Sequence, residues 1–335
     1  MSNRGHSIAV IGAGSWGTAL ALRLGLNGCD VRLWGRDVSA MQQMQETREN
    51  QRYLPACTLP DTITCHADLA AAIDGADDWL LVVPSKAFDE TLGRLQELAQ
   101  GRSLRIAWAS KGLDPNTHRF LDEVVKRYFP DIPMAVLSGP SFAAEVAQLC
   151  PTAVVVAGTD KTWLKELSES FNADRFRVYE NHDMAGVELC GALKNILAIA
   201  AGISDGMGLG SNARAALLTR GMAEMRRLAS FFDADPDTLM GLAGFGDLLL
   251  TAMDDRSRNR RFGLALGKGQ SVDDAKGGID QVIEGMVACE IVYRLAQDQS
   301  LSLPIIEQVY AICYESRSPE EALTQLMSRE PRSEG

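Results

Sequence analysis

The sequence contains no C-x-x-C pair, no apolar run of membrane length, no excess of positive charge and no internal repeat or low-complexity tract. Each absence excludes something. Its seven cysteines, at 29, 57, 65, 150, 190, 289 and 313, are scattered and odd in number, which argues against a disulfide framework. They fit reduced, mostly buried thiols in a cytoplasmic protein. Cys65-His66 is the only Cys/His neighbour pair and nothing nearby completes a ligand set, so no metal is expected. The apolar run before Gly12 is too short for a secretory signal. The longest apolar stretch, around Val187–Ile203, is interrupted by Glu188, Lys194, Asn195 and glycines, whereas a membrane span wants about twenty residues with few or no charges. It reads as a buried core helix, with no stable membrane insertion. With 44 acidic side chains against 33 Lys+Arg, the net charge is −11, and such a surface repels nucleic acid and anionic membrane alike. A nucleic-acid partner is not expected.

What is present is ordinary globular composition, with 46% apolar and 23% charged residues. At roughly 100–200 residues per domain, 335 residues suggest two domains. The first half alternates short apolar runs (Ser7–Ile11, Val31–Trp34, Trp79–Val83, Leu104–Ala109, Pro133–Leu137, Ala153–Ala157) with segments of helical spacing such as Thr18–Leu26 and Phe88–Ala99. Trp79–Val83 and Ala153–Ala157 are continuous rather than alternating, the pattern of strands buried on both faces of a parallel sheet. Strand, helix, strand in repetition predicts a doubly wound α/β domain. The pattern changes after Arg175–Tyr179. From Asp183 onward helical segments dominate, punctuated by glycine-rich stretches at Gly202–Gly210 and Gly241–Gly246 that read as connectors. The expected domains are therefore residues 1–183, α/β, and 184–335, all-helical, with a polar tail from Ser328 that frays.

Gly12-Ala-Gly14-Ser15-Trp16-Gly17 follows a strand and opens a helix, the context in which G-x-G-x-x-G signals a dinucleotide. The first glycine permits the tight turn, the second admits pyrophosphate to the backbone, and the third lets the helix pack on the strand. The helix N-terminus offers free N–H groups to the phosphates. The second strand ends in Gly35-Arg36-Asp37. There Arg36 offers a cation to a 2′-phosphate while Asp37 keeps a carboxylate available for a ribose, so NADP is favoured and NAD stays open. Val83-Pro84-Ser85, Ser110-Lys111-Gly112 and Ser138-Gly139-Pro140-Ser141 all follow strands, so several strand-end loops converge on one crevice. Lys111 reads equally as an anion ligand or as a solvent-facing turn charge.

In the helical half, the neighbours of Lys194 at spacings of three and four are Cys190, Gly191, Leu197 and Ala198, all small or apolar. Desolvation would bring such a lysine toward proton-transfer chemistry, unless its head snorkels to water. Asp247, after Gly-Phe-Gly, reads as a polar site residue or as a helix N-cap. Asp254-Asp-Arg-Ser-Arg-Asn-Arg-Arg261 carries four arginines against two aspartates, a local charge of +2. A Ser257 cap, a helix N-terminus and Arg258 would together hold a phosphate; the alternative is a solvated basic turn.

The segments IGAGSWGTALA, VVPS, SKGL, SGPSFAAE, GALKNILAIAAGISDGMGLGSNARAALLTRG, GLAGFGDLLLT and SRNRRFG occur in order, within a match that runs from Ile8 to about Leu326. Together they resemble the bacterial NAD(P)-dependent glycerol-3-phosphate dehydrogenase family. The resemblance implies a Rossmann domain followed by an all-helical substrate domain. It also implies reduction of dihydroxyacetone phosphate to sn-glycerol 3-phosphate for phospholipid synthesis, and it leaves room for a homodimer. It assigns proton transfer to Lys194, with Asn195 beside it. Substrate contacts fall on Lys111, Gly139, Ser141, Asp247, Ser257, Arg258 and Asn259. Cofactor contacts fall on Ser15, Trp16, Arg36, Lys111, Ala143, Arg258, Val282 and Glu284. In the reducing direction Lys194 would protonate the carbonyl oxygen while Lys111 stabilises its charge, and Asp247 would bind a hydroxyl or orient Lys194. Ala144 departs from a lysine common in the family, and Trp16 stands where another aromatic is frequent. Two other readings compete: a dehydrogenase of a sugar acid or ketopantoate-like substrate, against which the arginine-rich segment argues, and a non-catalytic dinucleotide sensor, against which Lys111, Lys194 and Asp247 argue.

Overall fold

A computed structural model describes residues 6–99, 101, 104–279 and 282–330. Of the tail expected to fray, residues 331–335 lie outside that set. The chain divides into two compact units, Met1–Glu188 and Leu189–Gly335, the division falling inside the helix Met184–Gly206.

The first unit is built on strands β1 (Ser7–Ile11), β2 (Asp30–Trp34), β3 (Glu49–Asn50), β4 (Leu54–Thr58), β5 (Ile63–His66), β6 (Asp78–Leu81), β7 (Ile106–Trp108), β8 (Met134–Ser138), β9 (Thr152–Gly158) and β10 (Phe176–Asn181). Eight of them form one sheet in the order β10-β9-β8-β7-β6-β1-β2-β5, and β3-β4 pair separately as a hairpin. From β1 the chain runs outward to β2 and β5, then crosses back to β6 on the other side of β1. The topological switch point of this Rossmann-type sheet therefore lies between β1 and β6, where such folds bind ligands. β1, β6, β7 and β8 are buried along their whole length, which is why their sequences are apolar without alternation.

One expectation needs correcting. Ala153–Ala157 has the pattern of a strand in a parallel sheet, yet β9 runs antiparallel to β8, with Val136 opposite Ala157 and Leu137 opposite Val156, and parallel only to β10. A continuous apolar run reports burial on both faces and carries no information about direction. Several elements also escape the periodicity: the helix Val38–Thr47, the hairpin, β5 and the helix Lys161–Phe171. All seven cysteines are free, and five are buried. Burial pushes the Cys29 thiol up to about 11 and the Cys313 thiol up to about 12, which leaves both unreactive.

The second unit is helical. Met184–Gly206 is, among the described residues, the one helix long and apolar enough to cross a membrane, and its apolar window is entirely buried. Gly202–Gly206, read as connector, continues this helix, and only Met207–Leu209 link it to the helix Gly210–Phe231. The reason is a close crossing with the helix Arg258–Gly267. A Cβ on Gly202 would fall on the Arg260 carbonyl oxygen and stand 2.8 Å from the Leu264 nitrogen; one on Gly263 would fall on the Ile199 carbonyl oxygen. Glycine costs a helix about 1 kcal/mol of propensity, and here that cost is offset by backbone-to-backbone packing. Gly241–Gly246 is also not a plain connector: Leu242–Gly246 winds as a π-helical turn that leads directly into the helix Asp247–Met253. Such turns are rare and are found mostly at functional sites.

Gly202→Ala should lower the stability of the chain by about 2–3 kcal/mol, because the clash is with main-chain atoms that cannot rotate away. Gly277→Ala, where a Cβ would meet nothing within 4 Å, should shift it by less than about 0.5 kcal/mol. Thermal denaturation of both variants checks the contrast, and equal shifts would contradict the close crossing.

Candidate functional site

Gly12 ends β1 with φ +126°, a conformation side chains rarely adopt, and a Cβ there would lie 2.6 Å from the Val82 carbonyl oxygen. A Cβ on Gly17 would fall on the Gly12 carbonyl oxygen, so the turn and the helix Ser15–Leu26 are folded tightly onto each other. Gly14 differs from both: a Cβ there would meet nothing within 4 Å, and no side chain caps the helix that follows. A glycine retained where the protein itself leaves room fits a ligand's approach to the backbone, and the uncapped helix N-terminus fits a phosphate. The indole Nε1 of Trp16, buried beside this turn, has no protein partner. These residues fit a dinucleotide.

Arg36 and Asp37 separate in role. The Asp37 carboxylate accepts the Ala40 N–H at 3.0 Å and caps the helix Val38–Thr47, so its lone pairs are partly committed. Arg36 is exposed beside it, and its neighbour Gly35 is buried against Ala13 of the glycine turn. The turn itself is held by a residue the sequence reading missed. Buried Asn50, on β3, donates its side-chain amide to the Ala13 carbonyl (3.0 Å) and to the Thr18 hydroxyl (2.7 Å). Nothing in the local pattern announces this contact, because it spans more than thirty residues of chain.

The strand-end loops do converge within the first unit. Ser110 donates its hydroxyl to the Val83 carbonyl at 2.5 Å, and the Lys111 ammonium reaches the Gly139 carbonyl at 3.0 Å. Lys111 is thus folded inward over the end of β8 and is not a solvent-facing turn charge. Ser141 donates to the same Gly139 oxygen at 3.1 Å. Ala143 begins the helix Ala143–Ala147, and Ala144 next to it is exposed.

In the helical unit the structure bears on three open readings. Lys194 is 7% exposed and does not snorkel to water: its ammonium meets Asp247 Oδ1 at 2.5 Å and the Thr251 hydroxyl at 3.1 Å. Asp247, 1% exposed, is therefore the counter-charge that a buried ammonium requires, and not a helix cap; Gly246 holds the N-cap position. Thr251, one turn along the same helix, donates to the Asp247 carbonyl oxygen at 2.6 Å. Its spacing of four from Asp247 was the available signal for its place here.

The third reading concerns the arginine-rich segment, two of whose four arginines are held in ion pairs. Arg256 pairs with Asp254, at 2.7 Å, and holds that carboxyl down at about 2. Arg260 pairs with Asp205 and with Asp255. Ser257 caps the helix Arg258–Gly267 through the Arg260 N–H, and Arg258, half-buried, opens that helix. Asn259 points inward, donating to Asn195 Oδ1 at 2.8 Å and accepting the Gly285 N–H at 2.9 Å. The neighbours of Lys194, of Arg258 and of Glu284 are thereby knitted together, with Val282 just ahead of Glu284, the first residue of the helix Glu284–Asp298. The predicted residues fall into two sets. Gly12, Gly14, Ser15, Trp16, Gly17, Arg36, Lys111, Gly139, Ser141 and Ala143 lie in the first unit, and the remainder in the second.

Comparisons with known proteins span both units. The family model described as NAD-dependent glycerol-3-phosphate dehydrogenase N-terminus matches residues 7–164, and its C-terminal counterpart matches residues 183–324. A glycerol-3-phosphate dehydrogenase [NAD(P)+] from Coxiella burnetii (strain RSA 493 / Nine Mile phase I) is 50% identical over 329 residues, 98% of each chain. Its namesake from Pseudoalteromonas translucida is 49% identical over 336 residues, covering both chains completely. The crystal structure of the Coxiella burnetii glycerol-3-phosphate dehydrogenase superposes with a TM-score of 0.92 over 97% of this chain and 99% of that one. With both of its units matched by that family's models and half of its residues identical to curated members along the full length, the chain belongs to the NAD-dependent glycerol-3-phosphate dehydrogenase family.

Proposed function

We propose that Lys194 exchanges a proton with the C2 oxygen of the substrate while the chain, as an NAD(P)-dependent sn-glycerol-3-phosphate dehydrogenase, interconverts dihydroxyacetone phosphate and sn-glycerol 3-phosphate. The observation that carries this reading is the buried Lys194–Asp247 pair: an ammonium held at 2.5 Å from a carboxylate and at 3.1 Å from a hydroxyl, inside the helical unit. A buried charge pair is commonly no more stabilising than apolar residues of similar volume, so its presence points to a role other than stability. Gly12, Gly14, Ser15, Trp16 and Gly17 would hold the dinucleotide, with Arg36 toward its adenosine end. Bound there, the reduced nicotinamide supplies a hydride to the ketone.

Reduction places negative charge on the former carbonyl oxygen, which needs a proton donor in position. Asp247 and Thr251 fix the Lys194 ammonium by occupying two of its donor directions. Lys111, whose ammonium is already turned over the strand ends, is assigned to the same developing charge. Arg258 and the N-terminus of its helix, capped by Ser257, would hold the substrate phosphate, with Asn195 and Asn259 keeping the three helices in register around it. Anchoring a remote phosphate converts binding energy into alignment of C2. Gly139, Ser141, Ala143, Val282 and Glu284 complete the proposed contacts. NADPH is the favoured cofactor, because exposed Arg36 offers a cation while Asp37 is partly committed to a helix N-terminus. The proposal extends to a cytoplasmic enzyme that supplies glycerophospholipid synthesis and pairs as a homodimer.

The direct test is reduction of dihydroxyacetone phosphate with NADPH and with NADH: oxidation of neither would reject the assignment. Lys194→Ala should cost about 10²–10⁴-fold in kcat. The folded variant should still bind NADPH, whose proposed contacts include the glycine turn of the first unit, and unchanged turnover would remove Lys194 from the chemistry. Arg258→Ala should raise the KM for dihydroxyacetone phosphate about 10–100-fold, the weight of a charge-assisted hydrogen bond; an unaltered KM would sink the phosphate anchor. Arg36→Ala should weaken NADPH about tenfold more than NADH, and equal losses would reject the 2′-phosphate contact.

A further inference from the structure

The helical unit bounds a half-open cavity that none of the proposed chemistry uses. A cavity of about 510 Å³ is bounded by the C-terminal turns of the helix Met184–Gly206, by the helices Gly210–Phe231 and Pro304–Tyr314, and by the C-terminal helix Pro319–Met327. Its size is that of a small-molecule site, commonly about 300–1,000 Å³. The walls are aliphatic, with Ile203, Leu217, Val309, Ile312 and Leu323 among them. Neither Lys194 nor Asp247 nor Arg258 reaches it.

Two polar features set it apart from a packing defect. Ser204 lies on the wall, 6% exposed, and its hydroxyl has no hydrogen-bond partner. A helical serine ordinarily returns its proton to the carbonyl four residues back, and a buried hydroxyl left alone costs about 1–3 kcal/mol. At the rim, two guanidinium groups arrive at the same residue: Arg227 donates to the Ser302 carbonyl at 3.1 Å and Arg329 to the Ser302 hydroxyl at 3.3 Å. Arg220 also lines the space. Against these three stand two carboxylates, Glu224 and Glu330. Glu224 is turned to the main chain, accepting the Ile305 N–H at 2.7 Å and the Ile306 N–H at 3.2 Å, where it starts the helix Pro304–Tyr314. The result is an apolar pocket with a hydroxyl in its wall and a predominantly cationic rim.

We infer that this cavity binds one anionic single-chain amphiphile, its alkyl chain against the aliphatic walls and its carboxylate or phosphate head at Arg227 and Arg329. The site is independent of the roles proposed for the dehydrogenase residues. It shares with them the helix that carries Lys194, since Ala200, Ile203 and Ser204 lie on the same element.

The test is calorimetric titration of the full-length protein with octanoate, decanoate, decyl phosphate and, as a control, decyltrimethylammonium, all below their micellar concentrations. One molecule of decanoate per chain should bind, about tenfold more tightly than octanoate, as burial of two further methylenes requires. The cationic amphiphile should bind at least about tenfold more weakly. Decyl phosphate set against decanoate tells a phosphate head from a carboxylate head. Ala216→Trp, which adds bulk from a residue that is exposed at the cavity edge and so does not disturb the fold, should abolish binding. Arg227→Gln should weaken decanoate about tenfold and leave decanol unchanged. Binding of several molecules per chain, no dependence on head charge, or no effect of Ala216→Trp would overturn the inference. So would a dimer in sedimentation that Ala216→Trp dissociates, because the face would then be covered by a second copy of the chain.

Discussion

The chemistry of the helical unit depends on how closely three helices approach one another. Where Gly202 faces Arg260 and Gly263 faces Ile199, main chain meets main chain with no side chain between. That approach brings Asn195 and Asn259 within hydrogen-bond distance, and Asn259 in turn holds the first turn of the helix Glu284–Asp298 by the Gly285 N–H. Gly285 obeys the same constraint, since a Cβ there would stand 2.7 Å from the Asn195 carbonyl oxygen. Lys194 precedes one of these asparagines and Arg258 the other. Their positions are therefore set by backbone sterics before any charge is considered.

The first unit uses the same device at another scale. At the end of β1 the turn is tight enough that Gly12 abuts the backbone after β6, and Gly17 abuts Gly12. Rigid approach at these two glycines leaves Gly14 as the one whose missing side chain the protein does not itself exploit. Closely packed main chain of this kind presents preorganised dipoles, which suit the phosphates of the proposed dinucleotide.

An acidic protein that handles phosphorylated anions is not a contradiction. The net charge of −11 describes the whole chain, while the residues proposed to meet anions are few and individually placed. The structure further shows which arginines a local charge count leaves undistinguished. The arginine-rich segment reads as a basic cluster, yet Arg256 and Arg260 are consumed by Asp254, Asp255 and Asp205. Arg260 and Asp205, fifty-five residues apart, could be matched only by the fold. The same holds for Asp247, whose sequence context offered a helix cap and whose actual partner, Lys194, comes from a different helix.

Much of this protein was legible without coordinates. Apolar runs marked β1, β2, β6, β7, β8 and β9, because strands buried along most of their length are mainly apolar. The glycine fingerprint marked the turn, because only glycine adopts that geometry at Gly12. The motifs around Lys194 and Arg258 were visible as short-range patterns of residue type. What only the tertiary structure decided was every relation between distant segments. The antiparallel direction of β9, the Asn50 clamp on the glycine turn, the counter-ion of Lys194 and the burial of glycine-rich Gly202–Gly206 as helix are all of this kind. Local sequence encodes burial and backbone conformation residue by residue, but a hydrogen bond or an ion pair needs two partners, and folding alone brings them within reach.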